Sequence, residues 1–179
     1  MKEPPTRIAI TGAPAAGKTE LAGLLAERAI HVIDVGDALA ERLTEHGVAV
    51  PSRAHIGPLF LQQFGVRAVF EVMRPHIVDG AAVALDAVRA STTVNQLCEW
   101  DPSFRIVHVE APERLRLERL HDRVSTWSHP ADAERAYDAL SFDTDWCRAR
   151  ADFVIRNDGT TADLRAQVER LMRADNASR

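Results

Sequence analysis

Eight residues constrain this chain more than any other feature. Gly12-Ala13-Pro14-Ala15-Ala16-Gly17-Lys18-Thr19 fits the pattern G-x-x-x-x-G-K-[ST] in full. The apolar run Arg7-Ile8-Ala9-Ile10-Thr11 precedes it, and Leu21, Leu24 and Leu25 follow at helical spacing. That context reads as a buried parallel strand, a tight loop and a helix. Backbone N–H groups of such a loop, added to the helix N-terminus, make a nest for phosphates. The residues that would line it are Gly12, Ala13, Ala15, Ala16, Gly17, Lys18 and Thr19. The Lys18 ammonium can follow the charge of a moving phosphoryl group, and the Thr19 hydroxyl can bind Mg²⁺. ATP and Mg²⁺ are therefore the expected ligands.

The use of basic residues supports a special role for Lys18. Lysine occurs only at Lys2 and Lys18, so 22 − 2 = 20 of the Lys+Arg residues are arginine. A lysine kept in such a chain marks a place for a compact ammonium that a planar guanidinium would not fit. The formal charge of −4 over 179 residues gives no basic footprint for nucleic acid. No apolar stretch approaches the roughly 18 residues needed to span a membrane. Cys98 and Cys147 have no paired spacing, which suggests reduced thiols and a cytoplasmic setting.

Four further strands are expected, at Ile30–Asp34, Ala81–Asp86, Phe104–Val109 and Phe153–Ile155. Helices alternate with them. One opens at Gly36-Asp37, with Asp37 a good N-cap; one begins at Gly57-Pro58; one follows Pro112; and Thr160-Thr161-Ala162-Asp163 resembles a capping box for the last. Such alternation predicts a single α/β domain over residues 1–179, with a parallel sheet. Residues 124–131 read as a loop. The chain lacks the Asn-Lys-x-Asp guanine reader of a GTPase switch, and it is too short for an ATP-driven motor with a second helical domain.

Together, the loop and the acidic strand ends resemble the nucleoside monophosphate kinase group of P-loop kinases. That broad group takes in adenylate and cytidylate kinases, shikimate kinase, dephospho-CoA kinase and phage deoxynucleotide kinases. Pro14 is similar to the Gly-x-Pro-Gly loop of adenylate kinases, with Ala15 in place of the second glycine. Ile33-Asp34-Val35-Gly36-Asp37 resembles both the acidic strand end of shikimate and dephospho-CoA kinases and the Gly-Asp of adenylate kinases. The adenylate-kinase arginine three residues after that Asp is replaced by Ala40, so the grip on an acceptor phosphate is missing or supplied from elsewhere. The resemblance implies a three-layer sandwich with a five-stranded parallel sheet in order 2-3-1-4-5. It also implies acceptor-binding helices over residues 36–79 and a small lid over residues 119–135.

The candidate site residues follow from residue type and from this resemblance. Asp34 lies where a strand end faces the loop, and can take a proton from an attacking hydroxyl or orient an acceptor or metal-bound water. Asp86 fits the position of a Mg²⁺-holding carboxylate. Asp86-Ala87-Val88-Arg89 resembles the Asp-Gly-x-Arg segment of these kinases, which implies that Arg89 holds acceptor or phosphates. Arg116, Arg119 and Arg123 share one helix face, and the resemblance implies that Arg119 and Arg123 grip phosphates at a lid hinge. Arg148 and Arg150 are candidates to complete that lid. Arg53, Arg67 and Arg74 read as ordinary surface charges, although the resemblance puts acceptor-binding helices there. Asn157-Asp158-Gly159 resembles the loop that passes the adenine, implicating Asn157 and Gly159.

The function these features imply is ATP- and Mg²⁺-dependent phosphoryl transfer to a nucleoside or deoxynucleoside monophosphate. The alternatives are transfer to a metabolite hydroxyl with Asp34 as base, or a nucleotide-binding switch that hydrolyses slowly. The expected partner is a small-molecule acceptor, with no nucleic acid or membrane, and the chain is expected to be a monomer or homodimer.

Overall fold

In the computed structural model, residues 5–124 and 143–177 are described. Five strands form one sheet: β1 (Arg7–Thr11), β2 (His31–Asp34), β3 (Val83–Asp86), β4 (Arg105–Glu110) and β5 (Phe153–Arg156). Their order is β2-β3-β1-β4-β5, and every neighbouring pair is parallel. The helices are α1 (Lys18–Ala26), α2 (Val35–Glu45), α3 (Arg53–Phe64), α4 (Ala68–Met73), α5 (Ser91–Trp100), α6 (Glu113–Val124), α7 (Thr144–Ala149) and α8 (Thr161–Ala177).

β1 shows why its sequence is apolar throughout. Ile8 and Ile10 pack toward one face, with Leu21 and Leu25 of α1 and Leu164 and Val168 of α8. Ala9 faces the opposite layer, where Leu39, Leu43, Phe60, Met73, Val94 and Leu97 gather against Val83 and Leu85. A strand covered on both faces needs apolar residues at successive positions. The result is the expected three-layer sandwich. Because all strands are parallel, their C-terminal ends share one edge. That edge collects the phosphate loop after β1, Asp34, Asp86, Glu110 and Arg156, and such an edge is where open α/β sheets bind ligands.

Several local expectations are corrected. The cap of α2 is Asp34, whose side chain accepts the Asp37 N–H at 3.2 Å, so Asp37 lies in the first turn. Pro58 lies inside α3 and does not open it. That helix starts earlier, after Ser52, where Ser52 Oγ and His55 Nδ1 are 2.8 Å apart. The sequence pattern marks neither α5 nor α7. α5 opens with Ser-Thr-Thr, weak helix formers, and its start is secured from a distance. The Asp143 carboxylate accepts from Ser91 N at 3.0 Å and from Ser91 Oγ at 2.7 Å. The capping box at α8 is present: Thr160 N donates to Asp163 Oδ2 at 2.8 Å, and Asp163 N donates to Thr160 Oγ1 at 3.2 Å.

Candidate active site

The phosphate loop is shaped by two glycines that admit no substitute. Gly12 has φ 137°, and a Cβ there would lie 2.2 Å from the Val109 carbonyl oxygen. Gly17, at φ 101°, caps α1, and a Cβ there would lie 1.9 Å from Asn157 Nδ2. Between them, Ala15 takes φ 56°, a left-handed conformation strained for an L-residue. Lys18 is buried and folds back on the loop, donating from Nζ to the carbonyls of Gly12 (2.9 Å) and Ala13 (2.8 Å).

Thr19 and Asp86 meet across the sheet. Thr19 Oγ1 donates to Asp86 Oδ2 at 2.9 Å, while Asp86 Oδ1 is buried with no hydrogen-bond partner. An orphaned carboxylate oxygen beside a hydroxyl is costly to bury unless something else completes it. A divalent cation fits that donor set, so these two residues are the ones that would hold Mg²⁺. Burial pushes the Asp86 carboxyl above its ordinary value, and the Asp34 charge pushes the same way. The Thr19 hydrogen bond and the charges of Lys18 and Arg89 oppose the rise.

Asp34 is the register partner of Asp86 on the adjoining strand. Its carboxylate is engaged by Arg53 Nη2, while Arg53 Nη1 donates to Asp37 Oδ1 at 2.5 Å. Arg53, on α3, thus bridges both acidic residues at the start of α2. Arg53 is exposed, as expected of a surface charge, and it also lies on a helix of the segment where the resemblance puts acceptor binding.

Arg89 lies just beyond Asp86, after Ala87 at φ 71°. Its segment is held by Val88 N donating to the Ile10 carbonyl at 3.0 Å and by the Cys147 thiol, 3.8 Å from the Arg89 carbonyl. Burial pushes the Cys147 thiol up to about 11. Behind the loop, His108 Nδ1 is 3.0 Å from Thr11 Oγ1. Burial keeps this imidazole below its ordinary pKa, helped by the charges of Arg148 and Lys18 and opposed by those of Glu110 and Asp145.

Arg119 reaches the phosphate loop from α6, donating to the carbonyls of Ala15 (3.3 Å), Ala16 (3.4 Å) and Asn157 (3.1 Å). Asn157 is buried against the same loop, and Gly159 packs over Asp163. Among the other arginines, Arg148 pairs with Glu110 at 2.8 Å, Arg150 stacks over Trp146, and Arg74 stacks over Trp100. The Arg123 side chain and the remainder of the expected lid, from Ser125 to Arg135, lie outside the described residues.

A family model described as an AAA domain matches residues 8–136. The chain belongs to that family. It is 29% identical to a UPF0200 protein of Sulfurisphaera tokodaii over 169 residues, covering 93% of this chain and 95% of that protein. It is 27% identical to UPF0200 protein TK1334 of Thermococcus kodakarensis, covering 92% and 95%. Among solved structures, shikimate kinase from Acinetobacter baumannii in complex with shikimate superposes with TM-score 0.63 at 19% identity, over 96% of this chain and 94% of that one. Shikimate kinase from Bacteroides thetaiotaomicron gives 0.65 at 18% identity, over 94% and 97%. A gluconokinase from Sinorhizobium meliloti gives 0.57 at 15%, over 95% of each chain. The fold is that of the P-loop kinases, in agreement with the group the loop resembles. Among the described residues, no helix is long and apolar enough to cross a membrane.

Proposed function

We propose that this protein is an ATP- and Mg²⁺-dependent phosphotransferase whose acceptor is a nucleoside or deoxynucleoside monophosphate. The observation that carries the reading is the convergence of Lys18, Thr19, Asp86, Asp34 and Arg53 at one sheet edge. The loop N–H groups and Lys18 bind and orient the donor phosphates, and Lys18 then follows the charge of the transferring group. Thr19 and Asp86 would hold Mg²⁺, which when bound would supply charge neutralisation for the donor phosphates. Arg53, held by the carboxylate of Asp34 and by that of Asp37, three residues before Ala40, can supply the grip that Ala40 lacks. Its ion pairs are solvent-exposed and therefore weak, so the guanidinium can turn to an incoming phosphate. Arg89 gives a further cation close enough for its charge to act on Asp86. A phosphate oxygen is ionised at neutral pH and needs no general base.

A second reading rests on Asp34. A carboxylate next to the metal-holding strand end can take the proton of an attacking hydroxyl, which fits a metabolite acceptor. Acceptor-dependent ADP release over a panel of monophosphates and hydroxyl acceptors decides between the two. ADP release with no acceptor dependence would replace both with a slowly hydrolysing nucleotide switch.

A further inference from the structure

We propose that Asn157 is a positioning residue for the phosphate loop, acting through the Ala16 carbonyl and making no contact with the nucleotide base. The proposal rests on the ATP-binding reading above.

Asn157 is buried, at 3% exposure, and three of its hydrogen-bonding atoms are assigned within the protein. Its N–H donates to the Glu110 carbonyl at 2.8 Å, which fixes it to the end of β4. Its carbonyl accepts from Arg119 Nη2 at 3.1 Å. Its side-chain Nδ2 donates to Ala16 O at 3.0 Å and to Glu20 Oε2 at 3.3 Å. Glu20, in the first turn of α1, accepts from Thr161 Oγ1 through its other oxygen at 3.2 Å, tying the start of α1 to the start of α8.

The peptide plane explains what this does. In a trans peptide the C=O and the next N–H point in opposite directions. Asn157 Nδ2 and Arg119 Nη1 both donate to Ala16 O, so they set the rotation of the Ala16–Gly17 peptide. The Gly17 N–H is thereby turned away from β5 and α6 and toward the concave side of the loop, where anions are bound. Gly17 packs so closely that a Cβ would overlap the Asn157 amide, so the loop rests directly on this side chain. The resemblance places this loop past the adenine mostly through backbone contacts, which leaves the side chain free to serve the phosphates through the loop.

The experiment measures binding of ATP and of inorganic tripolyphosphate, each with Mg²⁺, by titration calorimetry, with melting temperature recorded in parallel. Tripolyphosphate carries no base. For Asn157→Ala and for Asn157→Leu, which removes the donor, keeps most of the volume and adds no charge, both ligands are expected to weaken by about tenfold. Their affinity ratio should stay within about twofold of wild type. If Asn157→Ala does not fold, Asn157→Leu carries the comparison. Weakening of ATP alone would overturn the proposal in favour of a base contact, and unchanged binding of both ligands would overturn it outright. Wild-type protein that binds neither ligand would instead bring down the kinase reading, and this proposal with it.

Discussion

Asp34 and Asp86 are register partners on neighbouring parallel strands, so two carboxylates leave the sheet side by side. They are kept different by their surroundings. Asp86 is buried with Thr19, whereas Asp34 meets solvent and the guanidinium of Arg53. The proximity is felt electrostatically, since the Asp34 charge adds to burial in raising the proton affinity of Asp86.

That raised affinity sets a pH dependence. A carboxyl whose folded pKa exceeds its unfolded value, about 3.9, favours folding most below that value, and the benefit is lost as pH rises through the folded pKa. At neutral pH the ionised Asp86 therefore destabilises the protein. Asp86→Asn should melt a few degrees higher than wild type at pH 7 and lose the stabilising response to Mg²⁺·ATP. In wild type, Mg²⁺ affinity should decline on acidification from a higher pH than an ordinary aspartate would give. Thermal melts from pH 5 to 8, with and without Mg²⁺·ATP, measure all three. An Asn variant less stable at pH 7 would contradict the account.

Lys18→Ala should reduce turnover by at least about 10²–10³-fold while the chain still folds, because the loop lies at the sheet edge outside the main core. Circular dichroism checks the fold, and ADP release under saturating ATP checks the rate. A variant keeping more than about a tenth of wild-type kcat would remove phosphoryl transfer as the function.

Arg53 and Asp34 separate the acceptor classes. With a phosphate acceptor, Arg53→Ala should raise acceptor KM by about tenfold or more and leave kcat within about threefold. With a hydroxyl acceptor, Asp34→Asn should lower kcat by about 10²-fold and flatten the acid limb of the pH–rate profile. Steady-state kinetics of the two variants against one acceptor distinguish the patterns. If neither parameter moves in either variant, the α2–α3 ion pairs belong to the scaffold alone.

Ala87 stands in the left-handed region at φ 71°, where the resembling kinases have glycine. Left-handed backbone costs an L-residue roughly 1–2 kcal/mol, and the greater freedom of unfolded glycine offsets part of the relief. Ala87→Gly should therefore stabilise the protein by about 0.5–1 kcal/mol, read from the urea midpoint. A midpoint that falls would show the turn to be unstrained.

Much of this architecture was readable in the chain. The strands that carry it are apolar throughout because both faces are covered, and the loop between β1 and α1 has a pattern that few other structures need. The placement of Lys18 on the loop and of Thr19 against Asp86 followed from that frame. What escaped reading depends on contacts distant in sequence. The start of α5 is stabilised by Asp143, 52 residues away, so its Ser-Thr-Thr opening carried no helical signal. Arg53 reaches Asp34 and Asp37 only because α3 packs beside α2. Asp37 has the right neighbours for a cap, yet Asp34 ends the strand with its side chain turned forward to accept the Asp37 N–H. The hydrogen bonds of the Asn157 side chain to Ala16 O and Glu20 also join parts of the chain 141 and 137 residues apart.

The contact between Asp143 and Ser91 has a consequence for the order in which the chain can assemble. Ser91 N and Oγ both give their hydrogen bonds to a carboxylate 52 residues further along. During synthesis the Ser-Thr-Thr opening of α5 therefore emerges well before the group that secures it, and its donors face water until Asp143 arrives. The first turn of α5 is a late event in the life of the chain, although its sequence is made early.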